Sequence, residues 1–401
     1  RFPGFYRLPI RERLKQIYDQ GWLNEEDLNS LSNGEHILPT DRADKMIENV
    51  VGVIGLPIGL ALNFKVNQKD YLVPLVVEEP SIVAALSAAA KTFLAYGGIQ
   101  ATAEESLLIG QIQVVNPPDP EQARNQILFH REELLTKINE LHPSMVQRGG
   151  GAKDIEVRIF DQTDENPLMV VVHLLVDTCD AMGANVINTM CEEIAPDVEA
   201  LTGGRVFLRI LSNLTDRSVV RASVTIPTKQ LEGKGYAGEE VRDGIILASQ
   251  FAAVDPYRAA THNKGIMNGI DPLAIATGND WRAIEAAAHA YAAKDGRYSS
   301  LTRWFADDKG NLVGEIEIPI KVGIIGGSLQ ANDTTQITYR LLNVDTAREL
   351  AELMAAIGLA QNFSAIKALS TEGIQKGHMS LHARSVAVSA GAPKQHFETI
   401  V

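Results

Sequence analysis

Four side chains in this sequence have the types that reduction of a carbonyl group and release of a leaving group require. Lys264 precedes Gly265, and Asp280 follows that lysine by sixteen residues. Glu79 stands far upstream at the end of an apolar strand, and His378 far downstream in a Gly-His-Met run. An ammonium can stabilise a developing oxyanion, and a buried carboxyl can stay protonated and deliver its proton.

Each of these residues also has an ordinary structural explanation. Glu79 and Asp280 could both complement or cap the positive end of a following helix. Lys264 could be a solvated loop lysine, and His378 could lie in a loop or at a helix end. The catalytic interpretation of Glu79 requires its enclosure, because a helix end favours the ionised form and only desolvation or a nearby carboxylate opposes it.

The composition narrows the function classes. The chain has 401 residues, 45% of them hydrophobic, and a formal net charge of −13, which argues against general binding to nucleic acid or to an anionic membrane. The longest uncharged run, Val50–Phe64, is too short to span a bilayer. The two cysteines, Cys179 and Cys191, have no metal-binding spacing and suggest reduced core thiols. We therefore expect a cytoplasmic protein without a metal site.

The stretch from Ile109 to Asn213 has a regular pattern that predicts a small domain. Apolar or alternating runs typical of strands enclose two longer helical patterns. The resulting order is β-α-β-β-α-β, which predicts a ferredoxin-like fold. The predicted elements are Ile109–Val115, Asp119–Leu141, Ile155–Phe160, Leu168–Val176, Ala184–Leu201 and Val206–Leu211.

The flanking regions predict a larger mixed α/β domain that the small domain interrupts, so that the fold class is α+β. We expect large-domain parts at 1–106 and 216–373, the small domain at 107–215, and a terminal segment at 374–401. Asp345 is a candidate N-cap for a late helix. The predicted elements are Tyr71–Val77, Ser81–Tyr96, Val219–Ile226, Glu239–Ala253, Trp281–Lys294, Thr346–Gln361 and Ser364–Gln375.

The sequence lacks the usual phosphate-binding motifs, since neither a Gly-x-Gly-x-x-Gly fingerprint nor a P-loop follows a strand. A different candidate, Asp180–Asn185, lies at a strand-to-helix junction. Gly183 would let a dinucleotide approach closely, and the following helix would direct its N-terminus at the pyrophosphate. An ordinary capped turn explains the same residues equally well.

Taken together, these segments resemble one family, the class II, bacterial-type 3-hydroxy-3-methylglutaryl-coenzyme A (HMG-CoA) reductases. The combination of Glu-Asn-Val, Asp-Ala-Met-Gly and Gly-His-Met elements carries the resemblance, which extends in order over almost the whole chain. The matching segments are Glu48–Val50, Leu72–Ser81, Asp180–Asn185, Leu208–Asn213, Asp255–Asp271, Ala276–Arg282 and Glu372–Arg384.

The resemblance implies a four-electron reduction of HMG-CoA to mevalonate and free CoA with two nicotinamide cofactors, or the reverse oxidation. Glu79, Lys264, Asp280 and His378 match the family's catalytic residues. In that assignment Lys264 stabilises the oxyanion, His378 protonates the CoA thiolate and Glu79 donates a proton to the aldehyde oxygen. Asp280 would tune Lys264 and Glu79 electrostatically.

The resemblance also implies binding residues. Ser81, Arg258 and Asn268 match positions near the HMG group, and Gln361 and His382 match positions near CoA. The residues that match the dinucleotide site on the small domain are Asp180, Met182, Gly183, Ala184, Asn185 and Asn213.

The family's active sites lie between two subunits, so the resemblance implies a homodimer. Some NADH-dependent members carry an acidic residue before the glycine triplet, where this chain has His142, so NAD(H) and NADP(H) both stay open as cofactors. The family also has a C-terminal helical flap, of which Ser380–Val401 would be only the start.

Two other function classes fit parts of the sequence. A non-redox acyl-CoA thioesterase could use Glu, His and Lys in one pocket, and would not change nicotinamide absorbance. A ferredoxin-like binding module would need only the small domain, and would leave Lys264 and Asp280 without a role. Replacement of Lys264 by Ala, with folding retained, separates catalysis from binding.

Overall fold

The computed structural model describes residues 2–163, 167–326, 329, 332–373 and 390–391. The α-helices of this part are α1 (Ile10–Asp19), α2 (Glu25–Asn33), α3 (Thr40–Ala43), α4 (Ile82–Leu94), α5 (Pro120–Phe129), α6 (Arg131–Leu141), α7 (Pro143–Val146), α8 (Ala184–Thr202), α9 (Gly238–Val254), α10 (Pro256–Ala276), α11 (Trp281–Ala292), α12 (Asp333–Leu342) and α13 (Ala347–Leu369). The strands are β1 (Ile58–Val66), β2 (Lys69–Val76), β3 (Gln100–Ala103), β4 (Leu107–Val115), β5 (Gly151–Phe160), β6 (Met169–Asp177), β7 (Arg205–Ser212), β8 (Val219–Ile226), β9 (Thr302–Ala306) and β10 (Leu312–Pro319). The fold is mixed α and β, with several separate sheets.

One antiparallel sheet has the strand order β5-β6-β4-β7 and packs against α5, α6 and α8. The strands and helices follow the predicted β-α-β-β-α-β order. The single helix predicted over 119–141 is wrong, because two helices meet at His130. Its backbone (φ −92°, ψ 12°) ends α5, while its carbonyl accepts the first hydrogen bond of α6 from Leu134 N–H.

The apolar faces of this sheet and of α8 form their own buried cluster, which includes Ile112, Val172 and Ile187. The helix can approach the sheet because residue 110 is glycine: a Cβ there would lie 2.3 Å from Cys191 Sγ. Burial raises the pKa of the Cys191 thiol to about 12. Cys179, by contrast, is only partly buried in a turn, so the prediction of two core thiols is wrong for this residue.

A second antiparallel sheet, β3-β8-β10-β9, and the hairpin β1-β2 surround the long helix α13. Nearly all sides of α13 are buried, as expected for a helix that is apolar all round. The predicted break between Gln361 and Ser364 is wrong. Asn362 stays helical within the core, where its Oδ1 accepts a 2.8 Å hydrogen bond from Trp304 Nε1.

The N-cap of α13 also differs from the prediction. Thr346, and not Asp345, caps this helix, and its hydroxyl accepts a hydrogen bond from Glu349 N–H at 3.1 Å. In the part of the chain that the structure describes, no helix is both long enough and apolar enough to cross a membrane.

Candidate active site

Lys264 lies near the middle of α10, and the sequence at the start of that helix explains why. Asp255 is the N-cap and accepts a hydrogen bond from Tyr257 N–H at 3.1 Å, and Pro256 occupies the first turn, where it needs no N–H partner. The helix ends before Gly278, which has a positive φ of 68°. The interpretation of Lys264 as a loop lysine is therefore wrong.

Glu79 lies in the link between β2 and α4. Helix α4 begins only at Ile82, and its first turn contains no acidic residue, so the helix-end explanation of Glu79 is wrong. Ser81, which directly precedes the helix, has a φ of 80°. Such a backbone is uncommon for a residue other than glycine and is often found at functional sites.

The fold brings Glu79 and Lys264 together. Lys264 Nζ donates a hydrogen bond to Glu79 Oε2 at 3.1 Å, although the two residues are 185 positions apart. Glu79 lines a cleft of about 940 Å³ that also includes Ser81 and Ser87. In the single chain, however, 39% of the Glu79 side chain and 61% of the Lys264 side chain are exposed. The enclosure that acid catalysis by Glu79 requires is incomplete in one protomer.

Asp280 is the N-cap of α11, as its alternative interpretation predicted. Its Oδ1 accepts a hydrogen bond from Ala283 N–H at 3.1 Å and lies 3.7 Å from Arg282 Nη2. Neither contact joins it to Lys264 or Glu79, so its catalytic role stays a prediction. The two histidines predicted for the site, His378 and His382, fall outside the described residues.

The residues predicted near the HMG group include a desolvated cation. Burial lowers the pKa of Arg258, which nevertheless stays protonated, and the described part of the chain gives its guanidinium no carboxylate partner. Asn268 is half-buried, one helical turn after Lys264. Both positions suit contact with a bound anion.

Gln361, predicted near CoA, lies deep in the packing between α10 and α13 and is only 5% exposed. The helices approach closely there, since a Cβ on Gly269 would lie 3.0 Å from the Cβ of Gln361. Gln361 Oε1 is buried and has no hydrogen-bond partner among the described residues. A direct contact with CoA stays a prediction for this residue.

The predicted dinucleotide turn, 180–185, begins a long helix without a side-chain cap. Gly183 is the N-cap of α8 with a φ of 93°, and a Cβ there would lie 2.3 Å from Thr178 Cγ2. The first turn of α8 contains no acidic residue. Its N–H groups can therefore meet an anion such as a pyrophosphate.

The other residues of the predicted dinucleotide site differ in exposure. Asp180 holds the turn against the start of α13 and against Ile324, because its Oδ1 accepts a hydrogen bond from Ala347 N–H at 2.8 Å and its carbonyl accepts one from Ile324 N–H at 2.9 Å. Asn185 and Asn213 are exposed, whereas Met182 and Ala184 are half-buried. Asp180 thus has a structural role besides any contact with a cofactor.

Sequence reasoning missed an acidic pair beside Lys264. The Asp271 and Glu285 carboxyls, on α10 and α11, influence each other's pKa values, and the positive charge of Lys264 acts to lower the pKa of both. Burial and the neighbouring Glu285 raise the pKa of Asp271. A hydrogen bond from His289 lowers the pKa of Glu285. The spacing along the chain could have indicated that Asp271 lies on the same side of the helix as Lys264. Asp271 follows Lys264 by seven residues, about two helical turns, and therefore shares its helix face.

Comparisons with known proteins bear on this arrangement. The family model described as hydroxymethylglutaryl-coenzyme A reductase matches residues 9–383. The chain belongs to the hydroxymethylglutaryl-coenzyme A reductase family. It is 52% identical to the 3-hydroxy-3-methylglutaryl-coenzyme A reductase of Archaeoglobus fulgidus, over 100% of this chain and 90% of that protein.

Solved HMG-CoA reductase structures agree in fold. One from Streptococcus pneumoniae has a TM-score of 0.90 and 45% identity, and the match covers 98% of this chain and 93% of that one. Another, a class II reductase from the same organism bound to NADPH in open conformations, has a TM-score of 0.89 and 45% identity, covering 92% of this chain and 100% of that one. The resemblance to the class II reductases is confirmed, and neither the thioesterase nor the binding module is favoured.

Proposed function

We propose that this chain reduces HMG-CoA to mevalonate and free CoA, consuming two NAD(P)H and two protons, or catalyses the reverse reaction. The observation that carries the proposal is the 3.1 Å hydrogen bond from Lys264 to Glu79, a residue that lines a cleft of about 940 Å³. Family membership supplies the reaction type, and this pair supplies a cation and an acid where the carbonyl oxygen must be stabilised and protonated.

The reaction makes different demands on the two members of this pair. Two nicotinamide cofactors would supply one hydride each, the first for the thioester carbonyl and the second for the aldehyde. Lys264 would stabilise the negative oxygen after each transfer, and Glu79 would give a proton to the alcohol oxygen. His378 would protonate the departing CoA sulfur, and Asp280 would adjust the charge balance. Arg258, a desolvated cation, would bind the HMG carboxylate.

The small domain would hold the cofactor. We assign residues 107–215 a ferredoxin-like fold, supported by the strand order β5-β6-β4-β7. The first turn of α8 would receive the pyrophosphate, because Gly183 leaves its N–H groups without a side-chain cap. The cofactor would be NAD(H) or NADP(H), and a solved relative is bound to NADPH.

A second copy of the chain would complete the active site. Several large apolar side chains are strongly exposed in one protomer, including Ile54 at 87% and Tyr257 at 89%. Tyr257 is on α10, the helix that carries Lys264. Such exposure is expected of a surface that a partner covers, and a homodimer would enclose Glu79. Light scattering should give a dimer mass, and Ile54→Asp should lower both the mass and the activity.

The test of the proposed reaction is its stoichiometry. With limiting HMG-CoA, the loss of nicotinamide absorbance should correspond to two NAD(P)H oxidised for each CoA thiol released. A thioesterase would release CoA without any change in nicotinamide absorbance, and that result would overturn the proposal. Parallel assays with NADH and NADPH would establish the cofactor preference.

A further inference from the structure

An irregular segment after β10, residues 320–325, contacts two turns of the proposed active site, and we call it the bridging segment. On the side of the turn before α11, one side chain pairs with the peptide groups of Gly323. Gly323 N–H donates to Asn279 Oδ1 at 2.8 Å, and Asn279 Nδ2 donates to the Gly323 carbonyl at 3.1 Å. Asn279 is only 8% exposed. Its carboxamide therefore ties the turn that ends at Asp280 to the bridging segment.

The same glycine contacts the predicted dinucleotide turn, 180–185, on its other side. A Cβ on Gly323 would lie 2.5 Å from Met182 N, so the two backbones can approach this closely only because residue 323 is glycine. The next residue, Ile324, donates its N–H to the Asp180 carbonyl at 2.9 Å. The bridging segment thus contacts the dinucleotide turn through backbone atoms and not through flexible side chains.

Further hydrogen bonds hold the turn before α11 in place. The Tyr339 hydroxyl lies 2.9 Å from the Gly323 carbonyl oxygen and 3.1 Å from that of Thr277. Asn279 N–H donates to the Ala274 carbonyl at 2.8 Å. Opening a buried hydrogen bond is costly, because it leaves a donor or an acceptor unpaired. The folded chain therefore keeps a fixed spacing between the two turns.

We propose that Asn279 is a positioning residue that sets, through Gly323, the distance between the dinucleotide turn and Asp280. Asp280 is thereby held where the nicotinamide delivers its hydride. This inference deepens the proposed function and rests on it. Asn279 itself contacts neither substrate nor cofactor in this assignment. Its effect is large because hydride transfer depends steeply on geometry, and a misplacement of about 1 Å can lower a rate by about 10²-fold.

Asn279→Ala tests the proposal by a split between binding and reaction. The variant removes the carboxamide but leaves the residues of the dinucleotide turn unchanged, so the dissociation constant of NADPH should stay within about twofold of wild type. Hydride transfer should slow roughly tenfold, because Asp280 is no longer held at a fixed distance from the nicotinamide. NADPH fluorescence measures the binding, and single-turnover decay of nicotinamide absorbance measures the transfer.

A matched control is available in Asn67→Ala. Ala101 N–H donates to Asn67 Oδ1 at 2.9 Å, and Asn67 Nδ2 donates to the Ala101 carbonyl at 2.9 Å, so the pairing is of the same kind. This pairing joins the β1–β2 turn to β3, where no residue of the proposed site lies. The control should lose stability to urea and keep wild-type NADPH binding and hydride transfer. Equal slowing of hydride transfer in both variants would overturn the proposal.

Gly323→Ala tests the other side of the bridging segment. Its Cβ must displace either Met182 N or the segment itself, so both NADPH binding and hydride transfer should weaken. With Asn279→Ala added, the segment is released on one side and can move away from Met182. The loss of hydride transfer in the double variant should therefore be smaller than the product of the two single losses. Losses that simply multiply would show that the two contacts act independently, which contradicts the proposal.

Amide hydrogen exchange tests the connection without turnover. In the ligand-free protein, Asn279→Ala should speed exchange in the bridging segment and also in the dinucleotide turn, because the two are joined by backbone contacts. Faster exchange in the bridging segment alone would refute the connection. A wild type that does not oxidise NADPH in the presence of HMG-CoA, in a protein that shows the joint change in exchange, would contradict the proposed function alone.

Discussion

Two lysine–glutamate pairs in this molecule have the same chemistry and different surroundings. Lys264 contacts Glu79 at 3.1 Å, and Lys294 contacts Glu317 at 2.8 Å. Glu317 also accepts hydrogen bonds from Tyr291 and from Arg221, the latter at 2.8 Å. These donors lower the pKa of Glu317 to about 2 despite the opposing effect of burial.

The number of donors around the carboxylate separates a structural pair from a reactive one. A carboxylate with three donors stays ionised and cannot serve as an acid near neutral pH. Within the described part of the chain, Glu79 has one cationic partner and lines a cleft. Under the proposed function, the Glu79 carboxyl therefore remains available to a substrate bound in that cleft. Matched substitutions in the two pairs test this difference.

The largest effect is expected at Lys264. Lys264→Ala should lower kcat by about 10³-fold or more, because removal of one preorganised oxyanion donor costs roughly 10²–10³ and a full charge adds to that. Lys294→Ala should change kcat by less than about twofold. An exposed ion pair of this kind stabilises the fold by about 1 kcal/mol or less and takes no part in the reaction. Steady-state nicotinamide oxidation measures both. Equal losses in the two variants would remove the distinction.

The next largest effect is expected at Glu79. Glu79→Gln should lower kcat by about 10²-fold, the usual contribution of a positioned proton donor. The loss should appear in the aldehyde step, which is measurable with mevaldehyde as substrate. Glu317→Gln is the matched control and should keep the wild-type kcat. A comparable loss in the control would contradict the comparison.

The buried face of α10 gives a stability effect of intermediate size. His262 Nε2 lies 2.6 Å from Thr302 Oγ1, and burial lowers the pKa of His262 from 6.5 to about 3. The stability from the neutral imidazole is fully present above pH 6.5 and is lost as the pH falls towards 3. The loss should be at most about 1.4 kcal/mol per pH unit in that window. Urea unfolding measured at several pH values between 7 and 4 should give a free energy of unfolding that depends less steeply on pH in His262→Gln than in the wild type.

The smallest effect is expected for stability at Glu317. Glu317→Gln should lower the free energy of unfolding by about 1 kcal/mol at pH 7. The effect is small because the ion pairs of Glu317 are partly exposed to water, which weakens them. Its folded-state pKa is depressed from 4.5, so this stabilisation is present above pH 4.5 and is lost as the pH falls towards 2. The difference between variant and wild type should therefore shrink in acid. A difference that grows in acid would contradict the assignment.

Local patterns predicted the elements that bury a continuous apolar face. Strand β8 was predicted at its observed bounds, and β6 within one residue at each end, because β-branched runs bounded by turn residues favour strands. The secondary-structure predictions were wrong where tertiary contacts, and not the local sequence, determine the backbone conformation. Asn362 looked like a break but is held inside α13 by Trp304. Lys264 looked like a loop residue because Asn263 and Gly265 are weak helix formers, yet α10 continues through them.

The site was predictable only in part. Family-like motifs marked Glu79 and Lys264, and the structure places them in contact. No local pattern could reveal that Glu285 acts on the pKa of Asp271, because the two residues become neighbours only when α10 packs on α11. Asp280 was marked by its motif, but its contacts in the single chain are those of a helix cap. Any further contact would have to come from elements that one described protomer does not contain.

The most direct test of the central claim is a single-turnover comparison of Lys264→Ala with Lys294→Ala. Enzyme loaded with NAD(P)H is mixed with saturating HMG-CoA, and the first decay of nicotinamide absorbance reports hydride transfer without product release. We expect that decay to be slowed by about 10³-fold in Lys264→Ala and to match the wild type in Lys294→Ala. A wild-type decay in Lys264→Ala would contradict the assignment of the oxyanion to this lysine.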